Sequence, residues 1–175
     1  MRHQTLNATP SKFAVFINDL MSDTAAIRAR ARTALMKAHT PEVTAALVGE
    51  LSDPRAYVRW EATKVLVALG DAVTAPALLQ ELDDDDHDVR WAAAEGLVAL
   101  GEIGLFAVLH ELTKKARSVA FCRSAHQVLK AFTDDGPAEE IAPVILALEK
   151  SEPALSVPTE AFKALTKLKV EAGLH

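Results

Sequence analysis

The chain has 175 residues, 50% hydrophobic but only 5% aromatic, and a net charge of −5 at pH 7. A single cysteine excludes an internal disulfide framework, no apolar run approaches the ~18–20 residues of a membrane span, and MRHQTLNATP lacks the apolar stretch of a secretion signal. A cytoplasmic protein of one domain over 1–175, with no cofactor and no membrane, is expected, and the negative charge disfavours nucleic acid. Ala and Leu make up about 30% of the residues, which favours helix over strand.

Residues 1–8 and 171–175 carry no periodicity and are expected to fray. Thr9-Pro10-Ser11 opens a helix reaching residue 22, with Phe13, Phe16, Ile17, Leu20 and Met21 on one stripe. It has no preceding partner and is suited to cap the first repeat. From residue 23 to 169 the chain repeats itself. Val58-Arg59-Trp60 returns as Val89-Arg90-Trp91, 31 residues on, and the same step back reaches Ile27-Arg28. Ala31, Ala62 and Ala93 follow in register, and Ala125 and Ala161 continue the position where helices must approach closely. A second element recurs between these: Leu47, Glu50 and Leu51 return as Leu78, Glu81 and Leu82, then as Leu109, Glu111 and Leu112.

Both elements place apolar residues on one helical stripe, as in Val58, Ala62, Val65, Leu66 and Leu69. Asp53-Pro54 reads as an N-cap followed by a first-turn proline, and Asp84 as the cap of the next copy. Gly70 and Gly101 fall where a helix stops in the left-handed conformation. Pro76 and Pro143 are expected in a first turn or at a modest kink. A lone pair of such helices cannot bury its apolar faces, so the fold class is all-α: an α-α superhelix, or α-solenoid, of about four to five stacked hairpins with terminal capping helices. The last helix, Val157 to Lys169, is expected to turn Glu160, Lys163 and Lys167 outward as a polar cap.

The run from Asp53 through Val58-Arg59 and Ala62 to Leu66, Leu69-Gly70-Asp71 and Pro76-x-Leu78-Leu79 resembles HEAT repeats, and more narrowly the HEAT-like repeat named for phycobilin lyases. The likeness is clearest over residues 53–112. It implies a module that binds another protein or peptide on the concave face lined by second helices, acting as a monomer. It also leaves open a subunit of bilin lyase or isomerase type, acting on tetrapyrrole-carrying proteins, and a nucleic-acid-binding HEAT-like protein using Lys114, Lys115, Arg117, Arg123 and Lys130.

The candidate contact residues are Glu50, Glu81, His110 and Glu111, one acid per repeat at the end of each second helix, an evenly spaced strip suited to a basic segment. Trp60 and Trp91, in equivalent places, are the outer alternative: packing between repeats or an aromatic platform. Arg28, Arg59 and Arg90, each six residues after Ser22, Asp53 or Asp84, read as a structural ladder tying a helix to the capping acid of a neighbouring turn. Asp83 to Asp88 lacks the ligand alternation and distal Glu of a calcium loop, and His110-Glu111 is one dipeptide where a HEAT-like di-iron hydroxylase needs several. No metal site and no catalytic residue is assigned. Cys122, without a base or a second thiol nearby in sequence, reads as a buried hydrophobe.

Overall fold

A computed structural model describes residues 13–114, 116–134 and 136–173. Among the described residues the chain forms ten α-helices and one short 3-10 turn, and no strand. A short α1 (Ala14–Leu20) precedes four hairpins: α2 (Ala25–Ala38) with α3 (Pro41–Glu50), α4 (Ala56–Leu69) with α5 (Ala75–Glu81), α6 (His87–Ala99) with α7 (Glu102–Lys114), and α8 (Val119–Lys130) with α9 (Ala138–Leu148). A long α10 (Pro153–Glu171) closes the chain. The architecture is an all-α solenoid, as the periodicity requires. Thr9-Pro10-Ser11 and residues 1–8 lie outside the described residues, as do 174 and 175.

The first helices of successive hairpins stack in a row, α2 on α4, α4 on α6 and α6 on α8. Ala31, Ala62, Ala93 and Ala125 lie at the close approach and are fully buried, so the alanine-rich composition reflects helix spacing. Two hydrophobic clusters form. Ile17 and Leu20 of α1 join Leu35, Leu47 and Leu66 in the first, while the second runs from Leu78 through Leu97, Leu109 and Phe121 to Leu168. Each such leucine contributes about 1.5–3 kcal/mol on burial. Packing is tight enough at α6–α7 that a Cβ on Gly104 would fall 1.8 Å from the Leu97 carbonyl oxygen.

Helix ends depart from the sequence expectation in one systematic way. Asp53 does not cap α4, and Asp84 does not cap α6: the helices begin after Arg55 and Asp86. Asp86 caps α6 by accepting from the Asp88 and Val89 amides at 2.9 and 3.2 Å. Ser22, Asp53 and Asp84 instead close a turn, each side chain accepting from the amide two residues on, at 3.2, 2.8 and 2.7 Å. Their carbonyls, and at Asp84 the side chain as well, are taken by the arginine ladder, and capping falls to the residue two places later or is done without. Gly70 and Gly101 stop their helices at φ +62° and +59°, as expected, and His39 holds the same place after α2 at φ +29°. Pro76 sits in the first turn of α5, whereas Pro143 lies inside α9.

The last helix is where the architecture differs most. In the sequence Ala161 continues the alanine position of the first helices. Yet α10 packs mainly on α7 and α9, on the side of the second helices. Val157, Ala161, Ala164, Leu165 and Leu168 form its buried stripe. Its free side carries Lys163 and Lys167 as expected, paired with Glu160 and with Glu140 of α9, but is polar only in part, since Leu155, Phe162 and Val170 are exposed among them.

Candidate functional site

The ladder arginines lie in the first turns of α2, α4 and α6, where the side chain reaches back over the preceding turn. Each donates Nη1 to the carbonyl six residues upstream, Arg28 to Ser22 at 2.7 Å, Arg59 to Asp53 at 2.9 Å and Arg90 to Asp84 at 2.7 Å. Their remaining donors diverge. Arg28, with Arg32, holds the buried carboxylate of Glu61. Arg59 grips Asp84 of the next hairpin through Nε at 2.7 Å and Nη2 at 2.9 Å, and also meets Asp85. Asp53 is held by Arg55, whose guanidinium brings its pKa down to about 2. The capping-acid partnership expected for the whole ladder is thus realised across repeats at Arg59 alone.

Beneath Arg59 lies Glu81, 7% exposed, with Oε2 buried and unpartnered. Burial and the adjacent Asp84 carboxylate push its pKa up to about 7, while Arg59 and the Asp86 amide pull Asp84 below the usual range. A buried carboxyl beside a second one retains its proton because two uncompensated charges cannot both be desolvated. Glu81 therefore joins the ladder from below and does not present a surface acid. At the equivalent place in the preceding hairpin Glu50 is half-buried, its pKa raised by burial and by Asp53. In the following hairpin Glu111 accepts from Lys114 Nζ at 2.8 Å and lies 3.7 Å from Arg117 Nη1. Arg117 also lies 3.8 Å from Asp83 and 3.5 Å from the Gln80 amide oxygen. It draws the ends of α5 and α7 together and offsets the acids there. The evenly spaced acidic strip expected from the repeat is graded in exposure: Glu50 half-buried, Glu81 inside, Glu111 paired. His110 is exposed.

The tryptophans also differ from one another. Trp60 is half-buried with Lys64 Nζ 4.2 Å from its ring centroid, whereas Trp91 is 49% exposed and stacks on His87. Trp91 lines a cleft of about 500 Å³ between α6 and α8, together with Arg90, Arg123, Ser124 and Gln127. A second cleft of about 430 Å³ opens on the other side of Val119 and Arg123, floored by Cys122 and Leu148 and rimmed by Arg117 and His126. Burial pushes the Cys122 thiol up, which leaves it a poor nucleophile. Of the basic residues proposed to meet nucleic acid, Lys114 and Arg117 are engaged by acids, Arg123 lies between the two clefts, and Lys115 is outside the described residues.

The sequence did not reveal the α6–α8 cleft; the signal was the loss of an acid in the fourth repeat, at Ala116. Among the described residues no three His, Cys, Asp or Glu side chains gather as metal ligands, and no helix is long and apolar enough to cross a membrane. The acids of residues 83–88 are spent instead on Arg59, Arg117 and the start of α6.

No curated protein is similar enough to the chain to count as a match. The family model described as HEAT repeats matches it twice, over residues 14–98 and 50–130. Those overlapping matches cover the three hairpins that carry the arginine ladder and extend through α8, so the chain belongs to the HEAT-repeat family, whose repeats generally serve as protein-interaction scaffolds.

Proposed function

We propose that the protein is an interaction module whose second-helix face receives a helix or peptide segment of another protein. The observation that supports this is α10. It is an amphipathic helix, placed on α7 and α9 through Val157, Ala161, Ala164, Leu165 and Leu168, on the same side of the solenoid where a partner helix would lie. The same side continues over α5 and α3, where Ala45, Ala46, Val48 and Gly49 are exposed small or apolar groups. A Cβ on Gly49 would meet nothing within 4 Å, so internal packing does not require that glycine, which costs about 1 kcal/mol in a helix. A partner helix approaching closely would. Glu50, Gln80, His110 and Glu111 supply polar contacts along the rim, and Glu81 holds the turn beneath them.

The test is affinity capture by the immobilised chain, comparing wild type with Gly49→Arg combined with Gln80→Arg, and with Trp60→Ala on the outer side. A partner retained by Trp60→Ala and lost by the double variant is the expected result. Capture that survives the double variant and fails with Trp60→Ala would move the interface to the outer side and overturn the proposal.

A further inference from the structure

The arginine ladder stops one rung early. Counted from the capping residues of α6 and α8, Asp86 and Ser118, the residue two places before the cap is Asp84 in one hairpin and Ala116 in the next. Arg59 therefore finds a carboxylate in the following hairpin, while the residue in the corresponding register for Arg90 is an alanine. Arg90 spends Nη1 on the Asp84 and Asp85 carbonyls, at 2.7 and 3.0 Å, and its Nε and Nη2 meet no carboxylate among the described residues. It is half-buried and lines the cleft of about 500 Å³ between α6 and α8. A second guanidinium, Arg123, lines the same cleft from α8, at the place Trp91 holds in the preceding hairpin, and also lacks an ion pair among the described residues. Two like charges at one cleft repel each other, and no Asp or Glu is among the described residues that line it.

We propose that this cleft binds a carboxylate brought by an acidic peptide segment of a partner. Arg90 takes its oxygens with the Nε and Nη2 fork, as Arg59 takes Asp84; Arg123 adds the second charge; and Trp91, stacked on His87, forms an apolar wall for the residue beside the acid. A planar bidentate acceptor is preferred because the guanidinium presents its donors as a rigid fork. The site lies between first helices and is independent of the second-helix face.

The probe is a capped hexapeptide with two aspartates flanking a phenylalanine, titrated into the full chain while the Arg Nε–H resonances and tryptophan fluorescence are followed. Its asparagine counterpart, inorganic phosphate and a short single-stranded oligonucleotide are the comparison ligands. The aspartate peptide is expected to shift the Arg90 resonance and to bind at least about tenfold more tightly than the asparagine peptide. Arg90→Gln and Arg123→Gln should each weaken it about tenfold, and Arg55→Gln, at an arginine engaged elsewhere, should leave it unchanged. Equal binding of the two peptides, indifference to Arg90→Gln, or preference for phosphate or the oligonucleotide overturns the proposal.

Discussion

At the junction of the second and third hairpins, Arg59 is enclosed: the Asp53 carbonyl behind it, the Asp84 carboxylate in front, Asp85 at the edge and Glu81 below. At the junction of the third and fourth hairpins Arg90 stands in the same register with carbonyls alone, and Ala116 and Cys122 occupy the places of the next acid and the next arginine. One junction is satisfied from within and the other is left open to solvent beside a cleft. A repeated position therefore does not carry a repeated role: whether an arginine is structural or available to a ligand depends on one residue in the following unit.

The largest test of this contrast is to remove each arginine. Arg59→Met leaves the buried Asp84 carboxylate without its cation and is expected to cost about 3–5 kcal/mol, the usual consequence of breaking one half of a buried pair. Arg90→Met gives up only hydrogen bonds to carbonyls and should cost about 1–2 kcal/mol. Urea unfolding followed by far-ultraviolet circular dichroism reads both. Equal losses would show that the two junctions are alike after all.

The register of the ladder was legible in the sequence because a step of 31 residues returns arginine, alanine and glycine to the same places. The buried alanines and the glycine stops follow from it directly. The location of α10 was not legible. Its stripe of Val157, Ala161, Leu165 and Leu168 identifies the side that is buried, but a stripe of that kind is the same whether the neighbours are first or second helices. Glu81 was hidden for a related reason: it recurs with Glu50 and Glu111, and nothing in the repeat marks it as the one of the three that is 7% exposed. The open cleft depended on an absence, an acid missing at Ala116, which carries no motif of its own.

A second way to separate the junctions is pH. Glu81 has a folded pKa near 7 against an ordinary value of 4.5, so the folded state holds its proton more tightly than the unfolded chain. Its contribution is fully present below pH 4.5 and is lost as pH rises through about 7. Asp53, brought down to about 2, and Asp84, also lowered, act in the opposite sense: their contributions are present above pH 3.8 and are lost as pH falls through the folded values. Glu81→Gln keeps the shape and removes the charge. It should flatten the decline in urea midpoint between pH 5 and pH 8 and raise the melting temperature at pH 8, by about 2–4 °C for each kcal/mol of penalty relieved. A slope unchanged by the substitution would mean that the second junction does not hold a buried proton.

The smallest expected effect concerns the hairpin turns, where the first repeat differs from the second and third. Gly70 and Gly101 end their helices in the left-handed region that glycine enters without cost, but His39 ends α2 at φ +29°, where a Cβ crowds the following carbonyl. Its amide already makes the closing bond to the Leu35 carbonyl at 3.2 Å, so the turn itself is sound and the strain belongs to the side chain. His39→Gly relieves that strain, partly offset by the larger conformational freedom glycine loses on folding, for a net gain of about 0.5–1 kcal/mol. Thermal unfolding should register this as a rise of about 2 °C. The reverse change, Gly70→His, places the same strain in the better-packed second hairpin and should lower the melting temperature by at least as much. If His39→Gly instead destabilises the chain, a side-chain contact of His39 holds the first turn, and the repeat is less uniform there than its backbone indicates.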